Sequence, residues 1–372
     1  MIVVSRIIFG MNQRKEKNSV PFKIPELNHP KQNAIFPSVV SKQKSAKKTT
    51  DYRRIARILW IFAGLLLLPS LLTYLFAITF TVHTEGIVVI TGASSGIGEQ
   101  AAKTLVATTN FQVYAGVRKE KDAKRLKATY PGINTVVIDV TSQESINTAV
   151  ELIQAKITSE LPFVGLVNNA GVQADLPIEL QSSKADRYNF NVNVFGLLDT
   201  TRSFLPLLRS TGNGARIVNV GSLAGVVASP GSASYSASKY AVEGITDSLR
   251  KEVQSMGISV SILQPGYVQS KMGEKLHDNT KKGDESEMYG VSPKNYELYK
   301  HVFEGFFAED KTLAQHENAS PAETTTTAAI IHALTSSRPK TRYPVANAGP
   351  FPAWLIITLA SILPDRVFDL LQ

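Results

Sequence analysis

A glycine-rich turn between an apolar run and an amphipathic stretch constrains the fold of this chain more than any other feature. The apolar residues 86–91 lead into residues 92–98, and alanine, leucine and valine then recur on one side of a predicted helix. Strand, glycine turn and helix in this order place a pyrophosphate at a helix N-terminus. Gly92, Gly96 and Gly98 suit a backbone that turns tightly and approaches phosphate closely. The spacing G-x-x-x-G-x-G differs from the commoner G-x-G-x-x-G, and a plain loop is the alternative interpretation.

Five further apolar runs have the length and composition of buried strands. They occupy residues 111–117, 134–139, 163–167, 215–220 and 258–263. Strands that alternate with helical stretches are typical of βαβ units and of an open parallel sheet. The expected fold class is therefore α/β, with a doubly wound parallel sheet in a single domain.

The residues that follow three of these runs suit a dinucleotide. Arg118 and Lys119 stand where a site that prefers NAD would carry an acid for the ribose 2′-hydroxyl. Basic residues suit a 2′-phosphate instead, so NADP(H) is favoured as the cofactor and NAD(H) stays open. Asp139 and Val140 are placed to meet the adenine, and residues 168–171 fit the ligand crevice of a parallel sheet. Solvated loop charges and plain turns are the alternative interpretations.

Tyr235 and Lys239 are the candidates for proton transfer. They are four residues apart, so on a helix they project from one face. A free tyrosine has a pKa of about 10, and a nearby lysine ammonium lowers that value by favouring the phenolate. Ser222, after the predicted strand 215–220, can hold a carbonyl or alcohol oxygen beside this general acid and base. Standing alone, Tyr-x-x-x-Lys is more often a surface pair.

The basic excess of the chain lies in its N-terminal part. The net charge is +9, but residues 1–57 hold 13 Lys and Arg against 3 Asp and Glu, a net of +10 that leaves −1 for the remainder. A nearly neutral folded part gives no reason to expect nucleic-acid binding. The chain has no cysteine, which excludes disulfides, thiol catalysis and cysteine metal sites. Its six histidines are scattered, so no metal site is expected.

Two segments precede the predicted domain. Residues 1–57 are rich in Lys, Ser, Asn and Pro, and they are expected to be disordered. Residues 58–82 carry no charge over 25 positions and would reach about 37 Å as a helix. A transmembrane anchor is therefore predicted, because the hydrocarbon core is about 30 Å thick. A buried core helix and the apolar region of a cleaved targeting peptide are the alternatives.

Together these motifs resemble the short-chain dehydrogenase/reductase superfamily. The shared pattern consists of Thr-Gly-x-x-x-Gly-x-Gly at 91–98, Asn-Asn-Ala-Gly at 168–171, Ser222, Tyr235-x-x-x-Lys239, and Pro265-Gly266 after a strand. It covers residues 85–272 and implies a Rossmann fold. Residues 341–345 and 363–369 resemble retinol and hydroxysteroid dehydrogenases more loosely.

The resemblance implies a role for each matched residue. Asn193 would hold a water of a proton relay, Ser222 would orient the carbonyl oxygen, and Tyr235 would exchange the proton. Lys239 would lower the pKa of Tyr235 and bind the nicotinamide ribose. Ser270 stands where the family often has a threonine that meets the carboxamide. The expected cofactor contacts are Gly92, Ser94, Ser95, Gly96, Ile97, Gly98, Arg118, Asp139, Val140, Asn168, Tyr235, Lys239, Pro265, Gly266, Val268 and Ser270.

The C-terminal part is expected to form the substrate end of a domain that covers residues 85–345. Residues 271–290 are polar, as in a surface loop or lid. Residues 293–307 predict a helix whose aromatic face is either core or the wall of an apolar pocket. Residues 346–372 form an apolar segment that packs on the domain or enters the membrane interface.

The sequence therefore predicts an NAD(P)-dependent oxidoreductase that interconverts an alcohol and a carbonyl on a lipophilic substrate such as a steroid, retinoid or lipid. It is expected to be a single-pass membrane protein of the endoplasmic reticulum or another endomembrane. NAD-dependent alcohol oxidation is one alternative, and a catalytically idle dinucleotide-binding scaffold or redox sensor is another. The small substrate and the membrane are the expected partners, and a homodimer stays open.

Overall fold

The computed structural model describes residues 78–269, 291–307 and 317–370, together with residues 54–58, 60, 64, 68 and 71–72. The chain divides into two compact units. The first comprises Met1–Ala77 and Asp369–Gln372, and its described residues between 54 and 72 are helical. The second unit, Ile78–Phe368, contains the predicted domain.

Most strands of the second unit belong to one parallel sheet. The strands described are β1 (Glu85–Ile90), β2 (Asn110–Val117), β3 (Asn134–Val137), β4 (Phe163–Asn168), β5 (Arg216–Val220), β6 (Ser259–Pro265), β7 (Arg342–Val345), β8 (Asn347–Ala348) and β9 (Phe351–Pro352). The order in the sheet is β3-β2-β1-β4-β5-β6-β7, and every neighbouring pair is parallel. Strands β8 and β9 form a separate antiparallel pair.

Helices connect these strands. Those described are α1 (Gly96–Thr108), α2 (Glu120–Thr129), α3 (Gln143–Gln154), α4 (Ser183–Phe190), α5 (Gly196–Ser210), α6 (Ala233–Val253), α7 (Pro293–Leu298), α8 (Lys300–Val302), α9 (Ala328–Thr335), α10 (Ala353–Ile362) and α11 (Asp365–Asp369). Single π-helical turns lie at Asn191–Phe195, Phe303–Phe307 and Glu323–Thr327. Short 3₁₀ turns lie at Leu223–Gly225 and Gln254–Met256.

The sheet is covered by helices on both faces, which confirms the doubly wound α/β fold. Alternate residues of β1 point to opposite faces, as the period of a strand requires. Val88 and Ile90 pack in one core cluster with residues of α1, α2 and α9. Ile87 and Val89 pack in a second cluster with residues of α3, α5 and α6. Strands buried on both sides explain the continuous apolar runs in the sequence.

The predicted boundaries are close to the observed ones, with three differences. Strand β3 ends at Val137 rather than at residue 139. Strand β7 was not predicted, because Pro344 and the shortness of the run hide it in the sequence. The helix predicted over residues 293–307 is interrupted at Tyr299 and ends in a π-helical turn. The predicted loop at residues 271–290 lies outside the described residues.

The predicted anchor lies largely outside the described residues, and its last part is not helical. Residues 78–82 have no regular structure and are fixed to the domain. The backbone N–H of Phe80 donates to the carbonyl of Ser337 at 2.9 Å. The buried guanidinium of Arg216 donates to the carbonyl of Thr81 at 2.9 Å and lies 5.3 Å from the centre of the Phe80 ring. Within the described part of the chain, the helices are too short or too polar to cross a bilayer.

The segment after β7 is folded against the domain. The β8–β9 pair is joined to the body by Asn347, whose carbonyl accepts a hydrogen bond of 2.7 Å from the N–H of Tyr267. Helix α10 contacts β7 and buries Ala353. Trp354 and Ile362 nevertheless expose 55% and 68% of their surface. Both predicted fates of this segment, packing on the domain and contact with a membrane interface, are compatible with such a half-packed helix.

The predicted disorder of residues 1–57 concerns residues outside the described part of the chain, except for residues 54–57, which are helical.

Candidate active site

A cleft of about 570 Å³ runs along the carboxyl ends of the central strands. Residues that follow β1 through β6 line it. Ligands of open parallel sheets bind in this crevice because the loops of neighbouring strands diverge there.

The turn between β1 and α1 brings backbone N–H groups to one end of the cleft. Gly92 has φ +64° and Gly96 has φ +58°, left-handed conformations that favour glycine. A β-carbon at Gly92 would lie 2.7 Å from the backbone of Ala170, so the turn also needs the missing side chain. Ser95 precedes α1 without a side-chain capping bond, which leaves the N–H groups of the first turn to an anion. Cleft-lining residues here are Gly92, Ser94, Ser95, Gly96 and Ile97.

Gly98 supports this turn from beneath and is not among the residues that line the cleft, so its contact with the cofactor stays a prediction. A β-carbon at Gly98 would lie 2.4 Å from Nδ2 of Asn169 and 2.8 Å from the carbonyl oxygen of Gly92. The same amide nitrogen of Asn169 donates to the carbonyls of Thr91 at 2.9 Å and Gly92 at 3.1 Å. Glycine at 98 therefore lets the helix approach the strand end closely.

Asn168 has its side chain buried and is not among the residues that line the cleft, so its contact with the cofactor also stays a prediction. Its Nδ2 donates to the Thr201 hydroxyl and to Oδ1 of Asn219, both at 2.9 Å. Asn168 and Asn219 are register partners in the β4–β5 ladder. The cleft is lined instead by the next three residues, Asn169, Ala170 and Gly171.

Arg118, Asp139 and Val140 lie in the cleft at the ends of the outer strands, as predicted. Arg118 is exposed, and its Nη1 donates to the hydroxyl of Tyr188 at 3.4 Å. One carboxylate oxygen of Asp139 accepts from the backbone and hydroxyl of Thr141 at 2.9 and 2.7 Å. An arginine and an acid are thus held near the glycine turn.

Ser222, Tyr235 and Lys239 come together where β5 ends and α6 begins. Tyr235 and Lys239 lie in α6 and are both buried, and the ammonium is 5.8 Å from the centre of the phenol ring. The ammonium donates to the carbonyl of Val220 at 3.0 Å. The Ser222 hydroxyl lowers the pKa of the Tyr235 phenol, and its Oγ accepts from the N–H of Ala224 at 3.1 Å. The two groups of α6 share a face, as the spacing of four predicts.

Burial dominates the ionisation of both α6 groups. It raises the pKa of Tyr235 to about 12, the hydrogen bond with Ser222 lowers that pKa, and the carboxylate of Asp175 raises it. Burial also lowers the pKa of Lys239 to about 8. The pKa of Tyr235 is therefore displaced opposite to the direction expected from the sequence, since removal from water disfavours the phenolate. The phenol is held in its neutral, proton-donating form.

Asn193 lies in the π-helical turn between α4 and α5, a kind of turn common at functional sites. Its amide is fully engaged. Oδ1 accepts from the N–H of Val172 at 2.8 Å, and Nδ2 donates to the Val172 carbonyl at 2.9 Å and the Ser238 hydroxyl at 3.0 Å. Asn193 thus fixes the loop after β4 to the catalytic helix. Its role in holding a water stays a prediction.

Strand β6 delivers the remaining predicted contacts. Pro265, Gly266 and Val268 line the cleft, and a β-carbon at Gly266 would lie 2.5 Å from the carbonyl oxygen of Asn347. Ser270 lies outside the described residues.

Asp175 and Tyr267 are among the residues that line the cleft without having been predicted. Asp175 accepts a hydrogen bond of 3.2 Å from the hydroxyl of Ser232. Tyr267 follows β6 and contributes to the lining of the cleft. The sequence carries no periodic or motif signal at Asp175, which lies in a loop; only the fold brings it to Tyr235.

The chain is similar in sequence and fold to known proteins. The family model of short chain dehydrogenases matches residues 86–281, more than half of the chain. The chain belongs to the short-chain dehydrogenase family. Within it, 17-beta-hydroxysteroid dehydrogenase type 6 of Rattus norvegicus is 36% identical over 289 residues, covering 76% of this chain and 86% of the relative.

Two other known proteins are also similar to this chain. The NADPH-dependent 3-dehydrocapnine reductase of Ornithobacterium rhinotracheale is 31% identical over 286 residues, covering 76% of this chain and 94% of that protein. A crystal structure of a short chain dehydrogenase from Burkholderia cenocepacia in complex with NADP has a TM-score of 0.56 and 25% identity. It covers 77% of this chain and 96% of that structure.

This short-chain dehydrogenase is accordingly an oxidoreductase that acts on CH–OH groups with a nicotinamide dinucleotide, and it is similar to hydroxysteroid and retinol dehydrogenases. The residues present fit that cofactor. The left-handed glycines and the uncapped first turn of α1 suit a pyrophosphate, and the buried ammonium of Lys239 suits a ribose.

Proposed function

We propose that this enzyme interconverts an alcohol and a carbonyl on a lipophilic molecule, with NADP(H) as the preferred cofactor, at a membrane. The single observation that carries the proposal is that Ser222, Tyr235 and Lys239 come together in one cleft, which also has apolar walls. The names of two relatives, a hydroxysteroid dehydrogenase and a 3-dehydrocapnine reductase, support a substrate larger than a simple ketone.

The chemistry follows from the positions of three side chains. When bound, a nicotinamide dinucleotide supplies or accepts the hydride. The Ser222 hydroxyl holds the substrate oxygen, and the neutral phenol of Tyr235 donates a proton to that oxygen during reduction. Lys239, anchored to the Val220 carbonyl, puts a positive charge beside the phenolate that remains. In the oxidation direction Tyr235 takes the proton back.

Support for NADP(H) comes from Arg118 at the end of β2. A guanidinium suits a 2′-phosphate because it pairs with two phosphate oxygens at once. Kinetics with NADPH and NADH on the same carbonyl test this preference. A lower KM for NADPH is expected, and a strong preference for NADH would reverse the assignment.

Support for a lipophilic substrate comes from the cleft wall next to Tyr235. Leu223, Val227, Tyr267 and Phe306 line it, and Phe306 continues into an apolar cluster with Phe303 and Leu176. The test is a screen of detergent-solubilised protein with NADPH and NAD against steroid, retinoid and fatty-carbonyl panels, with Tyr235→Phe as the inactive control. Activity on apolar substrates is expected. Turnover confined to small water-soluble ketones contradicts the proposal.

The membrane part of the proposal rests on residues 58–77 and on α10. The 20 uncharged positions from 58 to 77 correspond to about 30 Å of helix. The exposed Trp354 and Phe351 of the C-terminal segment suit a membrane interface. Retention in the pellet after alkaline carbonate extraction of endoplasmic reticulum membranes is expected, and release of the full chain contradicts anchoring. A homodimer stays a prediction, to be checked by light scattering in detergent.

A further inference from the structure

Asp175 places an unpaired acid inside the cleft. Its carboxylate accepts hydrogen bonds from two neutral side chains, the Ser232 hydroxyl at 3.2 Å and the Gln173 amide. In the part of the chain that the structure describes, no lysine, arginine or histidine forms an ion pair with it. A carboxylate removed from water and left without a cation is unfavourable unless a ligand supplies a donor.

The carboxylate lines the same cleft as the proton-transferring phenol. Ser232, which donates to it, is the residue immediately before α6, and Tyr235 lies in the first turn of that helix. The negative charge of Asp175 acts on Tyr235, whose pKa it raises. A substrate whose oxygen is held by Ser222 and Tyr235 therefore shares the cleft with the carboxylate of Asp175.

The loop that carries Asp175 is fixed from below by two asparagines. Asn193 binds both backbone groups of Val172. The buried Asn189 donates to the carbonyl of Ala174 at 3.0 Å and to the Ser234 hydroxyl at 2.8 Å. The loop is thus tied to the same helix that carries Tyr235. A carboxylate held in place in this way discriminates between ligands, because little ordering is needed when the ligand binds.

We propose that Asp175 selects substrates that carry a hydrogen-bond donor, an ammonium or a hydroxyl group, on a carbon next to the reacting carbonyl. This inference rests on the proposed function and narrows its substrate class to lipophilic amino ketones and hydroxy ketones. Phe306 and Val227 accommodate the apolar remainder. Anionic substrates such as keto acids are disfavoured, because their carboxylate would face that of Asp175.

A purely structural role for Asp175 makes a different prediction. An acid near a helix N-terminus stabilises the helix through its dipole. In such a role, the loss of Asp175 would destabilise the fold. Activity on every substrate would then fall by the same factor, and substrate preference would stay unchanged. The ratio between two matched substrates therefore separates the two roles.

The test compares 2-decanone, 1-hydroxy-2-decanone and 1-amino-2-decanone hydrochloride as probes for the wild type, Asp175→Asn and Asp175→Ser, with NADPH at neutral pH. Asp186→Asn, an acid of α4 outside the cleft, is the matched control. The wild type and the control are expected to favour the donor-bearing probes in kcat/KM by about ten- to hundredfold, the size of one hydrogen bond to a charged group. In both Asp175 variants, the ratio of kcat/KM for a donor-bearing probe to kcat/KM for 2-decanone is expected to be close to one. The two donor-bearing probes show whether the ammonium or the hydroxyl is preferred.

The outcomes separate the two levels of the proposal. A wild type that reduces the three probes equally, or an Asp175 variant that keeps the wild-type ratio, overturns the role of Asp175 and leaves carbonyl reduction intact. A wild type that reduces none of the probes with NADPH or NADH, and no member of the lipid panels, overturns the proposed function and this inference with it. NADPH titration followed by fluorescence verifies that each variant is folded, and the serine variant replaces the asparagine variant if that one fails.

Discussion

The ammonium of Lys239 lies 5.8 Å from the centre of the Tyr235 ring and donates its hydrogen bond to the carbonyl of Val220. The lysine is thus fixed by the strand end and not by the phenol. In this arrangement Tyr235 keeps its proton in the free enzyme, and the positive charge acts when the phenolate forms.

Replacing Tyr235 by phenylalanine removes the proton donor while keeping the ring. The variant is expected to lower kcat by about 10²–10⁴, with little change in NADPH affinity or melting temperature. Tyr240→Phe is the matched control, since Tyr240 lies on the same helix with its ring half exposed outside the cleft. Near-normal turnover of Tyr235→Phe would exclude it as the general acid.

Replacing Arg118 by alanine removes the basic group proposed to meet the 2′-phosphate. We expect KM for NADPH to rise about ten- to hundredfold, the effect of a lost charge-assisted hydrogen bond, with KM for NADH and kcat nearly unchanged. Lys119→Ala serves as the comparison, because that side chain is exposed and does not line the cleft. Equal loss with both cofactors would assign Arg118 a role other than phosphate recognition.

Asp175 makes the stability of the fold depend on pH. Burial raises the pKa of its carboxyl from 3.8 to about 6. Between these values the folded chain binds more protons than the unfolded chain, so the contribution of Asp175 is favourable below about pH 4 and is lost as the pH rises through 6. Asp175→Asn is therefore expected to be more stable than the wild type at pH 7 by about 1–3 kcal/mol, with the gain vanishing near pH 4. Denaturant melts at the two pH values measure it, and a variant less stable at pH 7 contradicts this expectation.

Arg216 connects the segment before the domain to the sheet. Its guanidinium donates to the carbonyls of Gly214, Thr81 and Ser336, so Arg216→Met removes the donor from three carbonyls, of which that of Gly214 belongs to a buried residue. We expect a loss of about 3 kcal/mol of unfolding free energy and faster chymotryptic cleavage after Phe80, whose ring Arg216 contacts. Arg209→Met, at an exposed position of α5, should change neither. Unchanged proteolysis of Arg216→Met would show that the segment is held by other contacts.

Much of the fold was predictable because its signals are local. The strand–turn–helix around Gly92 needs left-handed backbone that only glycine adopts readily, and the buried strands need continuous apolar runs. Strand β7 escaped because four residues with a central proline carry no such signal. Tyr235 and Lys239 were predictable as a pair because a helix fixes their spacing.

The site details that could not be predicted depend on tertiary contacts. Asn168 and Asn169 are adjacent in the sequence, but the pleat of β4 directs the first toward Asn219 and leaves the second at the cleft. The pKa of Tyr235 depends on how much water the folded chain removes from the phenol. Asp175 reaches the active site only because asparagines distant in sequence hold its loop.

Asn189 and Asn193 hold the loop that carries Asp175. Because the π-helical turn at Asn191–Phe195 lies between α4 and α5, these contacts depend on the number of residues in that turn. A π-turn accommodates one residue more than regular α-helical winding. Deleting a single residue there would restore regular α-helical winding and shift Asn193 relative to Asn189, so that the two side chains could no longer both reach the loop. In an alignment of related chains, a gap in this stretch would mark a differently shaped cleft even where the serine, tyrosine and lysine are all retained.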